Sequence, residues 1–283
     1  MFKQITILGS GLLGASLAMA IHKGKVAKRI KVWARRKETL NDCASKAWCH
    51  TVEENIEKSV QGSDLVIICT PVDTIVEIIR KIGPHLDEES IVTDVGSVKN
   101  EICKDGTNAL IDSKGHFIGS HPMAGSEKSG MEYAHEDLIK GKSCIITPFK
   151  ETKLEFVQRL ADFWKALHMD VHQFSPDEHD KAAAYFSHLP HLLASSLSRH
   201  LESQPSNWKQ ISGNGLRDTT RIAEGDPQLW VQILQMNKDK LLSALEDWET
   251  SLSEVKKIIK NDNREDLYEF LTKGSNFRKE LDK

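Results

Sequence analysis

The stretch Ile5-Thr6-Ile7-Leu8-Gly9-Ser10-Gly11-Leu12-Leu13-Gly14 decides the fold of this chain. Its first four residues form an apolar, β-branched run that predicts a strand, and a helical pattern follows directly. The last six residues read G-x-G-x-x-G, the spacing with which a Rossmann-type domain holds the phosphates of a dinucleotide. Gly9 permits the tight turn, Gly11 lets the backbone approach a pyrophosphate, and Gly14 lets the helix pack closely on the strand.

Residues around this turn are candidates for cofactor binding, because a helix N-terminus offers unpaired N–H groups and partial positive charge to phosphates. Thr70 ends another strand-like run at 64–70 and Pro71 follows it, so both would lie at the same edge of a sheet. The full set of cofactor-binding candidates near the phosphates is Gly9, Gly11, Leu12, Leu13, Gly14, Thr70 and Pro71.

The end of the second strand predicts which nicotinamide cofactor is preferred. A site for NAD usually places Asp or Glu about 20 residues beyond the glycine motif. This sequence has Ala34-Arg35-Arg36 there, so two guanidinium groups can bind a 2′-phosphate and no adjacent carboxylate repels it. We therefore expect NADP to be preferred, with NAD as the second choice. Alternatively, Arg35 and Arg36 are solvated surface charges.

Short apolar runs alternate with helical patterns along the first half of the chain. Strands are predicted near 29–33, 64–70, 90–94, 117–119 and 144–147, with helices such as 72–82 and 98–111 between them. This alternation predicts an α/β domain with a doubly wound parallel sheet and right-handed crossovers.

After a last strand expected near 170–174, the pattern becomes helical. Ser175-Pro176-Asp177-Glu178 reads as a capping box with proline at the first helical position, and helical spacing follows at 182–201, 229–245 and 252–259. We predict a Rossmann-type domain over 1–174 and an all-α substrate and dimerisation domain over 175–283. The apolar surface of these helices exceeds the need of a unit of this size, which favours a homodimer through the helical domain.

Composition excludes several classes of partner. The 283 residues include 38 Lys and Arg against 41 Asp and Glu, a net charge of −3. General binders of nucleic acid or membrane surfaces usually carry a basic excess, and no apolar run approaches the roughly 20 residues of a membrane span. The five cysteines form no C-x-x-C pair, so we expect reduced thiols in a cytoplasmic protein that binds small molecules.

The segment 119–130, G-S-H-P-M-A-G-S-E-K-S-G, carries the densest set of reactive groups and follows a predicted strand. It would therefore lie at the carboxyl edge of the sheet, where ligands bind. His121 is a candidate general base near neutral pH. Ser97, just after the strand that ends at Asp94, is a second candidate; alternatively it only caps the next helix.

Five motifs together resemble one family. They are G-S-G-L-L-G-A-S (9–16), D-V-G-S-V-K (94–99), the segment 119–130, S-H-L-P-H (187–191) and R-D-T-T-R-I-A (217–223). In this order they resemble the prephenate/arogenate dehydrogenase family of tyrosine biosynthesis over nearly the whole chain. The first motif is generic, whereas the third and fifth are highly specific.

The resemblance implies oxidative decarboxylation of prephenate or arogenate. Hydride leaves the hydroxyl-bearing ring carbon for the nicotinamide, a base removes the hydroxyl proton, and loss of CO₂ aromatises the ring. Such an enzyme supplies mainly positioning, one base and anion binding. On this resemblance His121 is the catalytic base, Ser97 bonds the substrate hydroxyl and orients His121, and Arg221 binds a substrate carboxylate.

Further substrate-binding residues follow from the same resemblance. His188 and His191 lie on one face of a predicted helix, which Pro190 should kink, and in the family both positions face the active site. The remaining candidates are Glu127 near the pocket mouth, Trp230 beside the substrate and Arg217 close to Arg221. Alternatively, the two histidines hold zinc or pack at an interface, and Trp230 is a core residue. No nearby Cys or carboxylate completes a zinc site, so we expect no metal.

Two other functions compete with this interpretation. A β-hydroxyacid dehydrogenase of the 6-phosphogluconate type would need a catalytic lysine on the first long helix of the helical domain, where Lys181 lies a turn or more before His188. A non-catalytic NADP-sensing protein would keep the glycine-rich turn but would not need His121, Ser97 and Arg221 together.

Overall fold

The computed structural model describes residues 2–125, 128 and 130–281, and its main sheet has six parallel strands. They are β1 (Phe2–Leu8), β2 (Ala27–Trp33), β3 (Thr51–Glu53), β4 (Leu65–Ile68), β5 (Ile91–Asp94) and β6 (His116–Phe117). Their order across the sheet is β3-β2-β1-β4-β5-β6, which is the strand order of doubly wound dinucleotide-binding domains. The predicted Rossmann-type parallel sheet is confirmed.

Helices connect these strands and cover the sheet. They are α1 (Leu12–Lys23), α2 (Lys37–Ala44), α3 (Ile56–Ser59), α4 (Ile75–Ile82) and α5 (Asn100–Ala109). Helix α4 buries Ile75, Ile78, Ile79 and Ile82, which recur at helical spacing. Every residue of β4 and β5 is buried, as expected for parallel strands covered on both faces.

A second sheet holds β7 (Gly119–Pro122), β8 (Ser143–Thr147) and β9 (Asp170–Gln173), with α6 (Leu154–Ala166) between β8 and β9. Strand β7 is antiparallel to β8, and β9 is parallel to β8. The sequence pattern predicted one series of strands and did not separate this sheet.

Ser120 attaches the second sheet to the first. Its Oγ lies 2.7 Å from Oγ1 of Thr93 and accepts a hydrogen bond of 3.0 Å from Nε1 of Trp164. Its backbone N–H donates to the carboxylate of Asp94 over 3.3 Å. Strand β7, which carries His121, is therefore held beside the carboxyl end of β5.

The rest of the chain is helical, as predicted. The helices are α7 (Pro176–Ala183), α8 (Leu189–Glu202), α9 (Asn214–Thr220), α10 (Pro227–Met236), α11 (Lys238–Lys260) and α12 (Arg264–Glu280). Between α7 and α8 the helix widens into a π-helical turn, Ala184–His188. A kink was predicted at Pro190, and the wider turn ends two residues before it, in the turn of helix where a proline ring meets the carbonyl group four residues earlier.

The helix predicted over 229–245 is two helices. They are interrupted at Asn237, whose φ of −109° and ψ of 28° leave the helical range. The buried side chain of Asn237 bonds to other elements instead, because its Nδ2 donates to the backbone oxygen of Asp180 over 2.8 Å. A tertiary contact thus overrides the helical periodicity.

The chain forms two compact units, Met1–Asn237 and Lys238–Lys283. In the first unit α7 packs against α5 and β8, and in the second α11 packs against α12. The predicted division between 1–174 and 175–283 follows the change from strands to helices, and as a domain boundary it stays a prediction. All five cysteines are free thiols. None of the described helices is long and apolar enough to cross a membrane.

Candidate active site

The glycine-rich turn takes the geometry that its spacing predicts. Gly9 has a φ of 100°, a value that side-chain-bearing residues rarely adopt. A Cβ atom on Gly14 would lie 1.9 Å from the carbonyl oxygen of Gly9, so α1 approaches the turn this closely only because Gly14 has no side chain. The N-terminus of α1 therefore faces the end of β1, where its first N–H groups can meet an anion.

A cleft of about 830 Å³ opens beside this turn, within the size range of small-molecule sites. Predicted cofactor residues that line it are Gly9, Gly11, Arg35, Arg36, Thr70 and Pro71. Leu12 and Leu13 lie half-buried in the first turn of α1 together with the buried Gly14. The turn and both strand ends thus meet at one cleft.

The charge lining this cleft is mixed. Arg35 and Arg36 are exposed at the start of α2, as cations that meet a phosphate would be. Three carboxylates line the same cleft, on Asp42, Glu77 and Glu132. These carboxylates lie away from the end of β2, on whose residues the expected preference for NADP rests.

His121 is buried on β7 and forms the end of a hydrogen-bonded chain. Its Nδ1 lies 2.8 Å from Nε2 of His179 on α7, and Nδ1 of His179 lies 2.8 Å from Oδ1 of Asp180. Burial lowers the pKa of His121 well below its ordinary value, and electrostatic interactions with His179, Lys99 and His188 lower it further. A neutral imidazole at pH 7 can accept a proton.

The loop that carries Ser97 is held by a buried ion pair. Nζ of Lys99 contacts the carboxylate of Asp94, and both side chains are fully buried. The same carboxylate accepts a 2.8 Å hydrogen bond from the backbone of Gly96. Ser97 itself is half-buried, and its backbone faces His188. The motif 94–99 therefore places the backbone of Ser97 beside the buried His188.

Asp180 caps the helix that follows this loop. Its carboxylate accepts the backbone N–H groups of Lys99 and Asn100 at 2.7 and 2.8 Å. Helix α5 begins at Asn100, with Lys99 as its N-cap residue. The first two N–H groups at this helix start are therefore capped by a carboxylate from another element and not by Ser97.

His188 and His191 are both buried, and each contacts a side chain from a later part of the chain. Nδ1 of His188 lies 3.1 Å from Nδ2 of Asn237. The ring of His191 stacks on the indole of Trp230, with centroids 3.5 Å apart. Burial lowers the pKa of both histidines, that of His188 to about 4.

The described residues also bear on the zinc alternative. Within 2–125, 128 and 130–281, no group of three His, Cys, Asp or Glu side chains is arranged to hold a metal ion. His191 stacks on Trp230 and Nδ1 of His188 contacts Asn237, while Nε2 of His188 and Nδ1 of His191 are buried with no hydrogen-bond partner among the described residues.

Arg221 begins a 3₁₀ segment, Arg221–Glu224, that packs against α8, the helix of His191. Arg217 lies one turn earlier, on α9, and both arginines are exposed. Glu127 lies outside the described residues. Lys181, which the 6-phosphogluconate-type alternative would use, is exposed on α7 next to the buried Asp180.

No sequence pattern identified His179, Asp180 or Asn237 as site residues. The capping box at 175–178 places His179 and Asp180 early in α7, and the oxygen of Ser175 accepts the N–H of Glu178 over 3.2 Å as predicted. Nothing local, however, shows that His179 meets a residue 58 positions earlier.

Comparisons with known proteins agree for both halves of the chain. A family model described as "Prephenate dehydrogenase, nucleotide-binding domain" matches residues 17–173, and one described as "Prephenate dehydrogenase, dimerization domain" matches residues 175–273. The prephenate dehydrogenase of Bacillus subtilis (strain 168) is 31% identical over 97% of this chain and 75% of its own length.

Two solved structures are similar over almost the whole chain. Prephenate dehydrogenase from Aquifex aeolicus, in complex with hydroxyphenyl propionate and NAD+, has a TM-score of 0.92 and 31% identity, covering 99% of both chains. Synechocystis arogenate dehydrogenase has a TM-score of 0.86 and 26% identity, covering 98% of this chain and 99% of its own. This chain therefore belongs to the prephenate/arogenate dehydrogenase family of tyrosine biosynthesis, as its five motifs predicted.

Proposed function

We propose that this chain catalyses the oxidative decarboxylation of prephenate to 4-hydroxyphenylpyruvate, of arogenate to tyrosine, or of both, with a nicotinamide cofactor as oxidant. The observation that carries this is the buried imidazole of His121, held by His179 beside the carboxyl end of β5. A neutral base at this edge of the sheet is what removal of a substrate hydroxyl proton requires.

The chain's own residues account for the other requirements of the reaction. His121 takes the proton of the substrate hydroxyl as a hydride leaves the carbon that bears this hydroxyl for the nicotinamide. The bond between the ring and its carboxylate then breaks, CO₂ leaves, and the electrons of that bond make the ring aromatic. Ser97 orients the substrate hydroxyl, and Arg221 binds a substrate carboxylate. The remaining proposed substrate-binding residues are His188, His191, Glu127, Arg217 and Trp230.

Turnover tests the reaction directly. Reduced cofactor is followed by its absorbance with prephenate and with L-arogenate, each with NADP+ and with NAD+, and the aromatic product is identified by chromatography. Turnover with either substrate supports the proposal. Protein that binds the cofactor but converts neither substrate would favour the NADP-sensing alternative, and turnover of a β-hydroxyacid instead would favour the 6-phosphogluconate-type alternative.

NADP preference is the finer part of the proposal, with Arg35 and Arg36 as the cations that meet the 2′-phosphate. Calorimetric Kd values for NADP+ and NAD+ test it. We expect R35A/R36A to raise the Kd for NADP+ more than the Kd for NAD+. K37A removes an exposed cation paired with Glu54 and should change the ratio of these two Kd values little. Tighter binding of NAD+ by the unmodified chain would overturn the preference.

We further propose a homodimer formed through the helical residues, supported by the match of residues 175–273 to the family's dimerization domain. Light scattering after gel filtration measures the mass directly. A mass of one chain at micromolar concentration would contradict the dimer without bearing on the reaction.

A further inference from the structure

We infer that Asp180 and His179 are positioning residues that hold His121 in a single tautomer, with its hydrogen on Nδ1 and its lone pair on Nε2. The inference rests on the proposed function only in naming His121 as the base. The tautomer itself is a property of the resting protein and can be measured without any substrate.

Asp180 determines the direction of the chain of hydrogen bonds. Its carboxylate accepts from the backbone N–H groups of Lys99 and Asn100, which can act only as donors. An ionised carboxylate has no hydrogen of its own to offer. Nδ1 of His179, 2.8 Å away, must therefore donate to Asp180.

The same direction of donation continues through His179 to His121. His179 is fully buried, and burial lowers its pKa, so the ring is neutral and holds one hydrogen. With that hydrogen on Nδ1, its Nε2 is an acceptor. Nδ1 of His121, 2.8 Å from this Nε2, must then donate, which leaves the lone pair of His121 on Nε2.

The opposite tautomer of His121 is disfavoured by this geometry. It would bring two lone pairs to face each other across 2.8 Å, in a site where both rings are buried. The buried surroundings thus make one nitrogen the proton acceptor and the other a fixed donor.

Asp180 also ties His121 to the loop of Ser97. The carboxylate of Asp180 that accepts from His179 also caps α5, whose N-cap residue Lys99 lies two positions after Ser97. The backbone oxygen of Asp180 accepts from Nδ2 of Asn237, which contacts His188 as well. Asp180 is therefore linked through His179 to His121, through Asn237 to His188, and through Lys99 to the loop of Ser97.

Two substitutions at His179 separate positioning from bulk packing. His179→Gln keeps an amide oxygen that can accept from Nδ1 of His121, and His179→Leu has no acceptor. We expect kcat to fall about 10- to 100-fold in His179→Leu and to recover most of this loss in His179→Gln, with KM and cofactor Kd within about twofold in both. His116→Leu, at a half-buried ring stacked on Phe156, is the matched control and should leave kcat unchanged.

Nitrogen-15 spectra of histidine-labelled protein read the tautomer of each ring. We expect His121, assigned by its loss in His121→Asn, to carry its hydrogen on Nδ1 in the unmodified chain and in His179→Gln. A hydrogen on Nε2 in the unmodified chain would overturn the inference, as would a His179→Leu variant with unchanged kcat. If the chain turned over neither prephenate nor arogenate, the proposed function would fail while the spectrum still decided the tautomer.

Discussion

The imidazole of His191 lies flat against the indole of Trp230, with ring centroids 3.5 Å apart and planes that differ by 10°. Gly225 makes room for this pair, because a Cβ atom there would lie 2.7 Å from Nε1 of Trp230 and 3.2 Å from Cε1 of His191. The stack joins α8 to α10. The orientation of His191 therefore depends on a residue of another helix.

Replacing Trp230 should loosen His191 and weaken substrate binding. A ring stack contributes about 0.5–1.5 kcal/mol beyond buried area, so we expect Trp230→Leu to raise KM for the substrate by about 2- to 10-fold and Trp230→Phe to raise it less. Trp208→Leu, at an exposed indole, is the control. Equal KM values for Trp230→Leu and the unmodified chain would assign Trp230 to packing alone.

Replacing His121, the proposed base, should slow the chemical step and leave cofactor affinity unchanged. We expect His121→Asn to lower kcat by about 10²- to 10⁴-fold with cofactor Kd near normal. Because burial lowers the pKa of His121, the unmodified chain should keep its activity as pH falls through the ordinary histidine range near 6.5. Steady-state kinetics across pH measure both effects, and an unaltered kcat in His121→Asn would remove it from the mechanism.

Arg221 should act mainly through substrate affinity. A charge-assisted contact to a carboxylate is worth about 1.5–3 kcal/mol, so we expect Arg221→Ala to raise KM by about 10- to 150-fold with a smaller change in kcat. Arg199→Ala, on an exposed arginine of α8 paired with Glu202, provides the matched control. If KM did not change in Arg221→Ala, the role of this arginine would be structural.

The buried pair of Lys99 and Asp94 should be costly to break. Both side chains are fully buried, so Lys99→Met leaves an uncompensated carboxylate, and we expect the free energy of unfolding to fall by about 3–5 kcal/mol. Lys114→Met removes one partner of an exposed pair with Glu88 and should cost less than about 1 kcal/mol. Urea denaturation measures the free energy of unfolding of both variants. Equal losses in Lys99→Met and Lys114→Met would contradict the burial of the pair of Lys99 and Asp94.

The buried histidines should make the protein less stable in mild acid. Burial lowers the pKa of His188 to about 4 in the folded chain; Asp180 and the Ser97 backbone raise it in part, and electrostatic interactions with His179 and His191 lower it. The unfolded chain, with a pKa near 6.5, takes up its proton first as pH falls. The free energy of unfolding should therefore decrease between about pH 6.5 and 4, by about 2 kcal/mol from pH 7 to pH 5 for His188.

Denaturation of His188→Gln isolates this contribution. A glutamine does not titrate. The variant should therefore lose less free energy of unfolding between pH 7 and pH 5 than the unmodified chain, by about the same 2 kcal/mol. Identical pH dependence in both proteins would show that the ring of His188 is accessible to protons in the folded state.

Local patterns in the sequence were sufficient for the elements whose geometry is local. The turn at Gly9 and the cap at Ser175 both have the predicted conformation, because each depends on residues within a few positions. Burial on both faces made β4 and β5 recognisable as apolar runs. The family motifs then pointed to His121, Ser97 and Arg221 without any structure.

The sequence by itself thus determined the α/β class, the helical C-terminal part, the family and the candidate base. Only the tertiary structure decided which groups form hydrogen bonds with that base. The separation of the second sheet, the break at Asn237 and the chain from Asp180 through His179 to His121 all join positions far apart in the sequence. Their pairing depends on which faces of strands and helices are buried against each other, and periodicity shows that a face is buried without showing its partner.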